Sequence, residues 1–301
     1  MALSEIKGIG SATEERLNDA GVQTIDDLAS AKIQELTPFG ISESKAQKII
    51  ERARKQGVVI QSGAEVEKEY QNKEERTTGM DALDKLIGGG WREDHIVGLS
   101  GESSAGKTQL VFQSLVAAVE ETGDPAVYIE TERGRYEPER INSLASDPET
   151  QKKVYRIKAY NLDQQLLAYQ KVAESMDEVS LVAVDSFTAR FRLSDKFEGR
   201  SSLQQRSKEF GRHLNTLEEM IETTDCPVLI TLQIYGNPSA YGSASSTYGG
   251  ELLNHTVTYF VKMSKDKGSL RKAELHGHPG EGEGEVYLTI GEDEIKAVEE
   301  V

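Results

Sequence analysis

The sequence predicts an α/β chain, with a core built on a mostly parallel sheet and a small all-helical domain ahead of it. Three observations predict it. Residues 101–108 read Gly-Glu-Ser-Ser-Ala-Gly-Lys-Thr, a complete G-x-x-x-x-G-K-[ST] phosphate loop, set between the apolar run Ile96-Val97-Gly98-Leu99 and Leu110-Val111-Phe112. That is the strand, loop, helix order the motif requires. After the loop, apolar β-rich runs alternate with helical stretches, the pattern of a sheet covered on both faces. Before it, residues 1–55 read as a compact, glycine-punctuated helical unit.

In chain order, Ile6-Lys7-Gly8-Ile9-Gly10 is a turn between a short helix and Ser11–Ala20, with Ser11 placed to cap the second helix and Glu14 to close the box. This is a helix-hairpin-helix pattern. Gly8 and Gly10 let backbone N–H groups approach phosphates without side-chain obstruction, so the hairpin is expected to grip a DNA backbone. Thr24 is expected to cap Ile25–Ala29. A looser repeat runs through Pro38-Phe39-Gly40 into a helix over 42–55 that carries Lys45, Lys48, Arg52, Arg54 and Lys55. A protein-docking domain with a solvated basic face is the competing reading. The expected division is a helix-hairpin-helix DNA-binding domain over 1–57, a polar linker over 58–78 and the core over 79–301. In the core, Gly79–Gly90 leads a helix into a glycine turn. Strands are expected at Val127–Glu130, Leu181–Val184, Val228–Leu232 and Val257–Met263, a long helix at Leu203–Thr223, and an antiparallel pair at Leu270–His276 and Glu285–Ile290.

Cys226 is the sole cysteine, which rules out an internal disulfide or a multi-thiolate metal site. No signal peptide and no long apolar span is present, so a cytoplasmic protein without membrane contact is expected. The net charge of −16 argues against a nucleic-acid partner. Its distribution weakens that objection: residues 281–301 carry a balance of −7, whereas residues 190–212 carry +4.

The chemistry gathers at the strand ends. Amides of Gly101, Glu102, Ser103, Ser104, Ala105 and Gly106 and the helix start at Lys107, Thr108 and Gln109 would face a triphosphate. Lys107 would reach its β/γ-phosphates and Thr108 would ligate Mg²⁺. Asp185, ending the run Leu181–Val184, would hold the metal's water shell opposite Thr108. Glu130 and Glu132 close another strand on the same side, and spacing alone does not choose which orients the attacking water. Gln233 closes Val228–Leu232, where an amide could sense the γ-phosphate. The uncharged stretch 234–250 that follows carries Tyr235, Tyr241 and Tyr248, aromatics suited to stacking on bases, or is a low-complexity surface loop.

The order of a helix-hairpin-helix domain, TTGMDALDKLIGGG, GESSAGKT, YIETERGRYEPERI, VDSFTARFR with EGRSSLQQR, TLQI, YGG and EGEVYLTI resembles the RadA-type DNA strand-exchange recombinases of the RecA fold. The resemblance spans nearly the whole chain. It implies a RecA-like ATPase core, ATP with Mg²⁺, single- and double-stranded DNA as partners, and a homo-oligomer or filament. It places the water-orienting carboxylate on Glu132 and adenine stacking on Arg140. It places one DNA-binding loop over Arg190, Arg192, Arg200 and Arg206 and the second over Ile234–Gly250. The chain departs from the family pattern in four places. Ile60 and Gly63 stand where a Phe-x-x-Ala self-association motif belongs, and Leu232 stands for an Asn. Gly277-His278-Pro279 stands for an Asp-x-Pro cap, and Ser201 for a Gly. They raise a second reading, a RadA paralogue that binds ATP and loads or modulates the main recombinase. A RecA-fold replicative helicase has no place for the hairpin domain.

Overall fold

The computed structural model describes residues 3–6, 8–56, 61–176, 178–194, 202–233, 250–291 and 294–298. They form two compact units that divide at Asn72.

The first unit runs α1 (Ser11–Asp19), α2 (Ile25–Ser30), α3 (Ile33–Leu36), α4 (Glu43–Gln56) and α5 (Gly63–Asn72). Ala46, Ile49, Ile50 and Ala53 fall at the spacing of one helix face, and that face of α4 is buried with Leu17, Leu28 and Leu36. Thr24 caps α2 with Asp27 in a reciprocal box. Ser11 does not cap α1. The helix already includes it, and Gly10 holds the cap position in extended conformation, its carbonyl accepting from Thr13 and Glu14. Residues 58–78, expected to be linker, include α5. Ser62 and Glu65 box its start, with the Ser62 N–H donating to Glu65 Oε2 at 2.7 Å. Burial does not hold this helix, since Val66 and Tyr70 are about half exposed, so the periodicity that reveals most helices is missing.

The second unit opens on β1 (Glu75–Arg76), α6 (Asp81–Leu86) and β2 (Trp91–Arg92), with β1 and β2 an antiparallel pair. It continues through β3 (Ile96–Gly101), α7 (Lys107–Thr122), β4 (Ala126–Glu130), α8 (Pro138–Leu144), α9 (Pro148–Lys153) and β5 (Val154–Lys158). Next come α10 (Leu162–Ser175), β6 (Leu181–Asp185), α11 (Ala189–Leu193), α12 (Ser202–Thr224), β7 (Val228–Gln233) and α13 (Gly250–Thr256). Four strands close the chain: β8 (Tyr259–Lys265), β9 (Leu270–His276), β10 (Gly284–Ile290) and β11 (Ile295–Val298). Among the described residues the sheet order is β11-β10-β9-β8-β3-β7-β6-β4-β5, parallel from β8 to β5 and antiparallel from β8 to β11.

Alternate residues of the parallel strands sort into two cores. Val97, Leu99, Tyr128, Ala183 and Leu229 pack with α7 on one face. Ile96, Val127, Ile129, Val182, Val184, Ile230 and Leu232 pack with α10 and α12 on the other. Burial on both faces is why these strands read as unbroken apolar runs. Leu232 belongs to this second core, so its side chain is part of the packing. Two strands of this sheet were not legible in the sequence. β5 is the sheet edge, with Tyr155 half exposed, and β11 lies within the acidic stretch 281–301.

Gly101 ends β3 opposite Met263 of β8: a Cβ there would lie 2.2 Å from the Met263 carbonyl oxygen. Gly101→Ala is therefore expected to destabilise the core by about 3 kcal/mol or more, because backbone rather than a flexible side chain must give way. Chemical denaturation monitored by circular dichroism checks this.

Candidate nucleotide site

At the carboxyl ends of β3, β4, β6 and β7 lies a cleft of about 290 Å³. This is the switch point of the sheet: β3 and β7 are neighbours, but the helix that follows β3 packs on one face and the helices on either side of β7 pack on the other. Ser103, Ser104, Gly106, Lys107, Thr108 and Gln109 line it from the loop and the start of α7. Gly106 takes φ +103° as the residue before the helix, a conformation that favours glycine. Ala105 instead turns into the core, and Gly101 and Glu102 contribute carbonyls. Those carbonyls accept from Lys107 Nζ at 2.9 and 2.8 Å.

Asp185 comes to the loop as the sequence places it. Its Oδ2 accepts from Thr108 Oγ1 at 2.7 Å and from Tyr128 Oη at 2.8 Å, and its Oδ1 accepts from Thr231 Oγ1. Tyr128 and Thr231 were not singled out in the sequence. Their signal is a hydroxyl in the middle of an otherwise apolar strand.

The two candidate carboxylates separate cleanly. Glu130 is fully buried and accepts from the backbone N–H groups of Arg135 and Tyr136 at 2.9 and 3.2 Å, from Tyr160 Oη at 2.6 Å, and from the Arg156 guanidinium. Burial opposes its charge, but these donors outweigh it and hold the carboxyl at about 2. Glu132 lines the cleft, about one-fifth exposed, with Arg135 Nε at 3.5 Å. Gln233 lines the cleft at the end of β7, together with Gly134, Arg135, Glu137 and Ile290, which the sequence reading missed.

Other predicted residues lie elsewhere. Arg140 does not line the cleft; it is buried on α8 with Nη1 donating to the Gly291 carbonyl at 3.2 Å, one residue beyond Ile290. Arg190 and Arg192 are on α11, Arg206 on α12, and Arg190 Nη1 donates to the Tyr160 carbonyl at 3.2 Å. In the first unit, Gly8 is at φ +102°, and a Cβ there would meet Arg52 Nη1 at 2.8 Å. The basic side chains of that unit are partly engaged in holding it together: Lys45 donates to Thr13, Arg16 to the Gly40 carbonyl and Arg54 to the Ala29 carbonyl. Gly63 begins α5. Ile60, Arg200, Tyr235, Tyr241 and Tyr248 lie outside the described residues. No helix among the described residues is long and apolar enough to cross a membrane.

A glycine-rich turn from a central parallel strand into a buried helix, faced by an acid from β6, with β7 between the two strands, defines a RecA-like phosphate-loop protein. The comparisons agree. The Rad51 family model matches residues 71–298, and a SAM-like helix-hairpin-helix tandem matches residues 1–55. The chain is 33% identical over 320 residues to the DNA repair and recombination protein RadA of Methanococcus maripaludis (strain C5 / ATCC BAA-1333), covering 98% of each chain. It is 32% identical, with the same coverage, to the RadA of Methanococcus voltae. The chain belongs to the Rad51 family.

Lys107 supplies a pH test. Burial lowers its ammonium to about 8, with Asp185 and Glu102 partly opposing the shift. The unliganded lysine loses its charge as pH rises through that value, and a polyphosphate favours the charged form. Affinity for Mg-ATP is therefore expected to be flat from pH 7 to about 8 and then to fall by up to about tenfold per pH unit, with proton uptake on binding near pH 8.5. Isothermal calorimetry in two buffers of different ionisation enthalpy measures both.

Proposed function

We propose that the chain is an ATP-dependent recombinase that binds single-stranded DNA, assembles along it and pairs it with homologous duplex. The observation that carries this reading is the match to RadA proteins over 98% of both chains, with the phosphate loop, its facing acid and the helix-hairpin-helix unit all present. In this reading the loop amides and Lys107 cradle the β/γ-phosphates of ATP. Thr108 and Asp185 are hard oxygen donors, the type Mg²⁺ takes. The single hydroxyl proton of Thr108 is committed to Asp185, which leaves its lone pairs for a cation. Mg²⁺, when bound, neutralises charge on the β- and γ-phosphates. Glu132 orients the water, and Arg140, bonded to Gly291 next to the cleft-lining Ile290, stacks on adenine at the edge of the cleft. Gln233 answers to the γ-phosphate and passes that state to the loop over residues 234–250.

DNA contact is assigned to Arg190, Arg192, Arg200 and Arg206 on phosphates, to Tyr235, Tyr241 and Tyr248 on bases, and to Gly8 and Gly10 on the backbone of the duplex. Self-association runs through Ile60 and Gly63.

The test is strand exchange between a single-stranded oligonucleotide and homologous duplex in the presence of Mg-ATP. Lys107→Ala is expected to lower nucleotide binding or turnover by about 100-fold or more, and Glu132→Gln to leave ATP bound but unhydrolysed. Wild-type turnover in Glu132→Gln would remove Glu132 from its role. Ile60→Phe with Gly63→Ala is expected to lengthen the assemblies seen by light scattering with ATP and DNA, because a buried aromatic anchor is typically worth about 2 kcal/mol or more at an interface. Stable filaments of the unliganded wild-type protein would show that other residues make the contact.

A further inference from the structure

Tyr160 follows β5 and joins elements that the reaction described above uses separately. Its hydroxyl donates to Glu130 Oε2 at 2.6 Å, and the Arg133 guanidinium lies over its ring, 4.6 Å from the centroid. Its backbone carbonyl accepts from Arg190 Nη1 at 3.2 Å. Glu130 in turn holds the N–H groups of Arg135 and Tyr136. The segment 131–137, which brings Glu132 into the cleft, is thus held against Tyr160 from two points, the Arg133 side chain and the Glu130 carboxylate. On its other side the same residue anchors α11 through Arg190.

We infer that Tyr160 is a positioning residue that couples DNA contact by Arg190 to the placement of Glu132. The inference rests on the ATP and DNA reading above. Arg190 has two alternative acceptors in this scheme. Without DNA it bonds the neutral Tyr160 carbonyl, and a DNA phosphate offers the guanidinium a full opposite charge and a bidentate fit that a single carbonyl oxygen lacks. Transfer of the guanidinium from carbonyl to phosphate releases the Tyr160 backbone. The ring then reseats under Arg133, and the segment bearing Glu132 moves with it. The two partners of Arg190 are the two states that both sites bias.

The experiment uses the full chain and compares ATP turnover with and without saturating oligo-dT. Tyr160→Ala removes the ring and hydroxyl but leaves the carbonyl that Arg190 bonds. It is expected to keep ATP and oligo-dT affinity within about threefold, while the ratio of DNA-stimulated to basal turnover collapses toward unity. Tyr160→Phe, which keeps the ring beneath Arg133, is expected to retain most of the ratio. A general loosening of the fold lowers both rates together, so Tyr160→Ala with a wild-type ratio overturns the inference even if both rates fall. Where Tyr160→Ala does not fold, Arg133→Ala removes the stack from an exposed side chain. A reduced ratio in that variant supports the coupling and an unchanged one overturns it. A wild-type protein without DNA-stimulated turnover fails the functional reading itself, whereas stimulation that survives in the variants sinks only the role of Tyr160.

Discussion

Asp185 lies almost wholly buried at the end of β6, and hydroxyl groups from three other elements converge on its carboxylate. Thr108 comes from α7, Tyr128 from β4 and Thr231 from β7. A carboxylate taken out of water is costly unless its oxygens are satisfied, and here both are. The consequence is geometric. The first turn of the phosphate-loop helix, two strands flanking β6 and the acid itself share one hydrogen-bonded node, so the relative heights of four elements at the mouth of the cleft are set together. The glycine turn at 101–106 then has a defined endpoint to reach, and Lys107 closes it by bonding the carbonyls of Gly101 and Glu102.

Around that node the sheet divides its labour. The central parallel strands β3, β7, β6 and β4 are sealed between two apolar layers and present the cleft residues at their carboxyl ends. The antiparallel strands β9 to β11 have a half-exposed face laced by ion pairs such as Lys272 with Glu274 and Glu285, at 3.0 and 3.2 Å. Such pairs on an accessible face contribute little to stability. The fold is carried by the apolar layers, which frees the surface charge to be distributed for other purposes, acidic over most of the chain and basic along 190–212.

The parallel core was legible because each strand is buried on both faces and leaves a continuous apolar run, and because the phosphate loop ties a sequence pattern to a backbone shape. Asp185 was legible as the acid that ends such a run. The choice between Glu130 and Glu132 was not, because an extended chain turns both side chains the same way. Only the surrounding donors, Arg156, Tyr160 and two backbone amides, reveal that Glu130 is committed to holding the loop that follows it. Arg140, α5 and β5 illustrate the other limit. Arg140 is set by a turn about 150 residues distant at Gly291, α5 is fixed by a cap rather than an apolar stripe, and β5 is an edge whose side chains mostly face outward.

The chain's one tryptophan, Trp91, is fully buried and donates from Nε1 to Ser114 Oγ at 2.9 Å. Ser114 lies on α7, the helix that begins at Lys107, and itself donates to the Thr78 carbonyl. The indole therefore sits in an apolar, water-free environment with its one polar atom fastened to the phosphate-loop helix. The protein carries a native optical reporter: its emission belongs to a single site, and any shift or tilt of α7 alters both the hydrogen bond and the packing that set its colour and intensity.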